Sequence, residues 1–293
     1  MDTKTCGIRL MKSRLRAWLD ILRVSNAPTC LSNVLVGWMI GGGTESLWPL
    51  IFITGVIIAI YLAGMILNDV FDAGWDRRHR PDRPIPAGLI RRGTAGLVGI
   101  VLILAATGST ILLGPAVLTA TCLLAAMVLI YDACHRFWPI AIIGMSMCRC
   151  LVYLIAALVA TEVPPAPWLL WSMLAIGLWT AGITLIARRE STGKPMRWPV
   201  LLLPLGGCMA VAIGIQNWPL TLLTGLLLLL QILWIVTCLY RPAGVVPAVL
   251  GAIAGLSLLD AFLLGLLGAP LPAMIAVCCF GLVTIIHRPL PGT

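Results

Sequence analysis

A 293-residue chain that is 60% hydrophobic and only 11% charged is not a soluble domain, because a soluble fold of that length cannot hide so much apolar surface. Its formal charge of +9 raises nucleic acid as a partner, but the basic residues are placed as membrane anchors, which excludes it.

Residues 9–24 set Arg9, Lys12, Arg14, Arg16 and Arg23 among Leu10, Leu15, Trp18, Leu19 and Leu22. That alternation predicts a basic amphipathic helix lying on the membrane surface. The chain therefore divides into an amphipathic segment, 1–24, and a transmembrane domain, 25–293. Lys and Arg crowd the first sixteen residues and no short apolar core precedes a small-residue cleavage site, so no cleavable signal peptide is expected.

Apolar runs able to span a bilayer follow at 26–43, 48–69, 93–113, 115–131, 138–160, 166–187, 198–215, 218–239, 244–266 and 270–286. The expected fold is all-α, a polytopic transmembrane helical bundle of nine core helices plus a tenth. With the N-terminus in the cytoplasm, every one of the 20 Lys and Arg except Arg149 falls on the cytoplasmic side. The positive-inside rule thus fixes the orientation and places the polar loops that carry chemistry on that face.

Ser32 and Asn33 put polar groups at membrane depth in the first span, where they either bond a neighbouring helix or line a cavity. Gly37-x-x-x-Gly41 offers a face for close helix packing. Arg149, the one cation inside a span, and Asp260, an acid inside another, each need a partner or a polar cavity. The 10 cysteines lie mostly within apolar runs with no C-x-x-C pair, and read as small hydrophobes.

The second span runs into Asn68-Asp69-Val70-Phe71-Asp72-Ala73-Gly74-Trp75-Asp76. Positions i, i+3 and i+7 share a helix face, so Asp69, Asp72 and Asp76 point into one space. Carboxylates so placed repel unless a cation lies between them. All-oxygen donors suit a hard divalent ion, and Mg²⁺ commonly takes one or two carboxylates together with substrate phosphates. Arg77, Arg78, Arg80 and Arg83 follow, able to hold a diphosphate through paired guanidinium bonds. The spacing excludes an EF-hand. The competing interpretation is simple pairing of acids with arginines at the membrane surface.

The pattern N-D-x-x-D-x-x-x-D, followed by Arg83-Pro84-Ile85-Pro86-Ala87-Gly88, resembles the first acidic motif and the R-P-[LI]-P-x-G of the UbiA family of membrane prenyltransferases. Tyr131-Asp132-Ala133-Cys134-His135-Arg136 resembles that family's Y-x-x-x-K-R, with His135 in place of Lys. The second aspartate-rich motif of well-studied relatives is missing: at the end of the sixth span stand Thr184, Arg188, Arg189, Glu190 and Lys194. Gly182-Ile183-Thr184 through Glu190, with Arg23-Val24-Ser25-Asn26-Ala27-Pro28-Thr29, Cys148-Arg149 and Leu259-Asp260-Ala261, is similar to a UbiA subgroup from Ebo-type gene clusters of bacterial secondary metabolism.

The resemblance implies a Mg²⁺-dependent prenyltransferase of the bacterial inner membrane. It would take a polyprenyl diphosphate lipid and a small-molecule acceptor, with its prenyl tail in a groove open to membrane lipid. Asp69, Asp72 and Asp76 are the metal ligands and, with Arg149, the catalytic candidates. Asn68, Arg83, Tyr131, Arg136, Arg188 and Glu190 are the diphosphate-binding candidates. Two other functions stay open: transfer to or from a polyprenyl monophosphate, and a non-catalytic carrier of lipid or metabolite. A channel using Arg149 and Asp260 would have no need of the acidic motif.

Overall fold

The computed structural model describes residues 14–43, 46–161, 166–188, 198–211, 214–241 and 244–287, and the regular structure among them is entirely helical. After α1 (residues 14–22) come α2 (Pro28–Ile40), α3 (Leu47–His79), α4 (Arg92–Ser109), α5 (Pro115–Cys134) and α6 (Trp138–Ala160). They are followed by α7 (Ala166–Ala187), α8 (Leu202–Ala210), α9 (Trp218–Leu239), α10 (Val245–Leu266) and α11 (Pro270–Ile286). Helices α2, α5, α6, α9 and α11 each carry proline in the first turn, where a missing N–H costs nothing and the fixed φ favours the helix.

A helix stands at each of the ten expected spans. Among the described residues, 7 helices are long and apolar enough to cross a membrane, which makes this a multi-pass membrane protein. The 13 residues of α2, 9 of α8 and 17 of α11 fall short, so a count of nine crossings plus a tenth does not follow from helix length. In the 198–215 stretch a 3-10 turn at Trp198–Leu201 precedes α8, and Gly41 and Gly42 end α2 early. Leu97 and Leu104 on α4, and Leu222, Leu229 and Leu233 on α9, are each more than half exposed, as a lipid-facing surface requires.

Helix α3 has 33 residues, about 50 Å at 1.5 Å per residue, against a hydrocarbon core about 30 Å thick. Its last turns, from Asn68 onward, therefore project beyond the bilayer. That projection gives α1 a protein wall to dock on. Ala17 and Ile21 are buried in a cluster with Ile66, Ala73, Ile85, Ile90 and Ala95. The apolar face of the amphipathic segment is thus turned to the protein as well as to the membrane plane.

The bundle closes around α10, in which every residue from Ala254 to Leu266 is buried. Helix α2 crosses α6 at its glycines: a Cβ on Gly37 would lie 2.3 Å from the Tyr153 carbonyl oxygen, and one on Gly41 would lie 2.6 Å from Ala160 Cβ. Only glycine admits this approach, and it sets α2 between the two halves of the bundle.

Candidate active site

Three local structures converge on the projecting end of α3. The loop after it is pinned by Ile85 and Ile90, both buried, and turned by Gly88 at φ 74°, a left-handed conformation in which glycine carries no steric penalty. Within it Ala87 N–H donates to Arg83 O at 2.9 Å, fixing the backbone from which Arg83 reaches back over α3. Between α1 and α2, Arg23 holds φ 44°, a strained conformation of about 1–2 kcal/mol for a non-glycine residue. The strain is held by Tyr61, whose hydroxyl donates to Arg23 O at 2.9 Å. The third structure is the end of α5 and the turn to α6, carrying Tyr131, Asp132, His135 and Arg136.

Between these structures and α7 and α10 lies a cavity of about 570 Å³ whose walls include Asn68, Asp72, Asp76, Arg83, Tyr131, Arg136 and Arg188. Asp72 Oδ1 accepts from Arg136 Nη2 at 2.9 Å, and Asp72 Oδ2 lies 3.3 Å from His135 Nε2. The Asp72 hydrogen bond, opposed by partial burial, raises the pKa of His135 above the ordinary imidazole value. Asp76 is 2% exposed; its Oδ2 has no hydrogen-bond partner, although Arg83 Nη1 stands 3.8 Å away. Arg136 and Arg80 both lie over the Trp75 ring, at 5.9 and 5.8 Å from its centroid.

Asp69 faces the other side of Arg83. Its Oδ1 lies 2.9 Å from Arg83 Nη1 and 3.5 Å from Arg23 Nη2, and it lines a neighbouring pocket of about 520 Å³ with Arg16 and Asp20. Arg83 thus stands between Asp69 and Asp76, and each carboxylate of the motif has a guanidinium close by. Among the described residues no group of three or more His, Cys, Asp or Glu side chains is arranged to hold a metal ion.

Arg149 is not among the residues lining the main cavity. It lines a smaller, largely apolar inner pocket with Ile57, Ile60, Gly64, Leu124 and Val128, which shares Tyr131 and Met145 with the main cavity. Its Nη1 donates to Asn33 Oδ1 at 2.5 Å, and Asn33 Nδ2 donates to Asp260 Oδ2 at 2.7 Å. Asp260 also accepts from Ser32 at 2.5 Å and from the Tyr153 hydroxyl at 2.5 Å. The two intramembrane charges therefore meet through Asn33, a satisfied network joining α2, α6 and α10.

The model of the family described as UbiA prenyltransferase matches residues 30–264. The chain belongs to the UbiA prenyltransferase family. A digeranylgeranylglyceryl phosphate synthase of Methanopyrus kandleri is 29% identical over 159 residues, 53% of this UbiA chain and 57% of that relative. The chain spans only 29% and 31% of the length of two further synthases of that name, from Methanoregula boonei and Methanothermobacter thermautotrophicus. Two solved structures share the fold. One, described as digeranylgeranylglyceryl phosphate synthase in membranes, has TM-score 0.55 at 18% identity over 94% of this chain and 95% of its own. The other, a UbiA homolog from Archaeoglobus fulgidus bound to GPP and Mg²⁺, has TM-score 0.51 at 15% identity over 93% of this chain and 86% of its own.

The donor chemistry of this UbiA cavity fits a hard divalent cation. Asn68, Asp72 and Asp76 bring oxygen donors to one wall, and the buried, unpartnered Oδ2 of Asp76 is the kind of atom a cation would satisfy. At the α7 end, Thr184 lines the cavity, and Arg188 lies over the Trp138 ring at 5.5 Å from its centroid. Glu190, Arg189 and Lys194 lie outside the described residues. Two site residues were not singled out from sequence. In sequence Arg23 reads only as a surface anchor, though it heads the Arg23–Thr29 match. Asp132 shares with Tyr131 a local match to the subgroup but has no role assigned by it, and it accepts from Asn68 Nδ2 at 3.2 Å.

Proposed function

We propose that this protein is an intramembrane prenyltransferase that moves a prenyl group from a polyprenyl diphosphate to a small acceptor with the help of Mg²⁺. One observation carries the reading: Asn68, Asp72 and Asp76 share a cavity with Arg83, Arg136 and Arg188, and that cavity borders an apolar pocket across Tyr131 and Met145. Such a site suits an amphiphile with an anionic head and a hydrocarbon tail. The named relatives and the GPP-bound UbiA homolog point the same way.

Asn68, Asp72 and Asp76 would hold the metal, joined by Asp69 once Arg83 turns to the diphosphate, and the metal would supply positive charge as the allylic C–O bond ionises. Arg83, Arg136 and Arg188, with Tyr131 beside them, orient the diphosphate and stabilise the charge that builds on its leaving oxygen. Arg188 takes over the neutralising role of the missing second acidic motif, and the sequence offers Arg189, Glu190 and Lys194 after it for the same task. Arg149 acts from behind Tyr131, lending its positive potential to the inner end of the cavity. Lys and Arg placement supports a cytoplasmic position for this end, and the Ebo-type signature favours a bacterial inner membrane. The α7 residues Gly182, Ile183 and Thr184 support assignment to that subgroup. An aromatic ring, a sugar or a small metabolite would serve as acceptor.

A second function is favoured by the pairing of Asp69 and Asp72 with arginines: a carrier that binds polyprenyl phosphates without turnover. Purified protein incubated with farnesyl or geranylgeranyl diphosphate, with and without Mg²⁺, separates the two. Diphosphate release that needs Mg²⁺ and is lost in Asp72→Asn and Asp76→Asn supports the transferase. Tight lipid binding that ignores both the metal and the two substitutions, with no release, sinks it in favour of the carrier.

A further inference from the structure

We infer that Asp132 is a positioning residue: it turns the amide of Asn68 so that the amide oxygen, not the nitrogen, faces the cavity. The inference rests on the metal-dependent function proposed above and extends it to a residue outside the acidic motif, contributed by a different helix.

Asn68 Nδ2 donates to Asp132 Oδ1 at 3.2 Å, with the two residues 64 apart in sequence. An asparagine amide presents a donor on one side and an acceptor on the other, and its neighbours decide which faces which way. Asp132 Oδ1 accepts whether or not Oδ2 carries a proton, so it takes the NH₂ side. The carbonyl oxygen is then left for the cavity that Asn68 lines. A hard cation takes oxygen and not an amide NH₂, so the wrong rotamer would offer it a repelling dipole.

The contact is shielded from water: Asp132 is 2% exposed and Asn68 is 7% exposed, so no solvent molecule competes for the Asn68 NH₂ and the amide is held in one orientation. Groups just behind metal ligands orient them and typically change metal affinity about 10- to 100-fold when removed.

The test is direct binding of Mn²⁺ to the purified full chain in the presence of geranyl thiolodiphosphate, which cannot ionise readily, read by electron paramagnetic resonance of the free ion. Asp132→Leu, which removes the acceptor at similar volume, should weaken Mn²⁺ binding about 10- to 100-fold. Asp132→Asn keeps an acceptor oxygen and should stay within about threefold of the parent. Asp132→Ala carries the same expectation as the leucine variant if that one fails to fold. Binding by Asp132→Leu or Asp132→Ala equal to the parent overturns the inference and leaves the metal site standing. Equal loss in Asp132→Asn and Asp132→Leu also overturns it, because charge and not orientation would then be what matters. A parent protein that takes up no Mn²⁺, like an Asp72→Asn control, would overturn the metal-dependent function itself.

Discussion

The guanidinium of Arg83 donates to Asp69, Nη1 to Oδ1 at 2.9 Å, and so occupies the space between Asp69 and Asp76. A substrate diphosphate offers Arg83 a stronger acceptor than one shared carboxylate, and binding would release the acids as the arginine turns to it. Losing a hydrogen bond to a charged group costs about 1.5–3 kcal/mol, so Arg83→Ala should raise KM for the prenyl diphosphate roughly 10- to 100-fold. Arg83→Lys keeps the charge without the planar fork and should recover only part of this. Steady-state kinetics with both variants decide it; an unchanged KM in each removes Arg83 from the diphosphate site.

The Arg149–Asn33–Asp260 chain makes a stability prediction separate from catalysis. Single interhelical hydrogen bonds in membranes average about 0.6 kcal/mol, but stranding one partner of a buried charge pair costs about 3–5 kcal/mol. Asp260, Asn33, Ser32 and Tyr153 are all fully buried while Arg149 is half-buried, so the charge effect should exceed the hydrogen-bond contribution and fall below that range. Asp260→Leu should therefore lower the unfolding temperature in detergent sharply, and adding Arg149→Met should restore more than half of the loss. Losses that simply add would show that the two charges do not depend on each other.

His135 gives the protein a pH-sensitive contact. Its bond to Asp72 raises its pKa above the ordinary value, which is about 6.5. The folded state therefore holds this proton more tightly than the unfolded chain does. The stabilisation is complete below about pH 6.5 and is lost as pH rises through the raised pKa. His135→Lys places an amine with a pKa of about 10.4 there and should flatten that part of the curve. Unfolding temperatures taken stepwise from mildly acidic to mildly alkaline pH test this; identical slopes for parent and His135→Lys would rule it out.

Much of this is legible in the sequence. A helix at each of the ten apolar runs follows from apolar length, and the acidic motif stands out because carboxylates at helical spacing are expensive near a membrane. Three things were not legible. Asn33 and Asp260 meet across 227 residues, a contact set by the packing of α2 on α10 and absent from local pattern. Arg23 reads as one more anchor until its strained backbone turns it toward Asp69. Helical phase put Asp69, Asp72 and Asp76 on one face, but it says nothing of a loop arginine folding back between them.

The crossing of α2 and α6 supplies the last prediction. Gly37→Ala would gain about 1 kcal/mol of helix propensity but lose about 1–3 kcal/mol by overpacking. Overpacking should win, because the new Cβ would sit 2.3 Å from the Tyr153 backbone oxygen and 2.8 Å from Ala156 Cβ, and backbone cannot swing aside. Gly55, on α3, is the internal control: a Cβ there meets nothing within 4 Å, so Gly55→Ala should be neutral or stabilising. Tyr153 also donates to Asp260, so displacing α6 should loosen the buried network as well. Gly37→Ala combined with Asp260→Leu should therefore cost less than the two losses added. Unfolding temperatures of the single and double variants decide this, and a Gly37→Ala protein as stable as the parent would mean that the two helices are free to move apart.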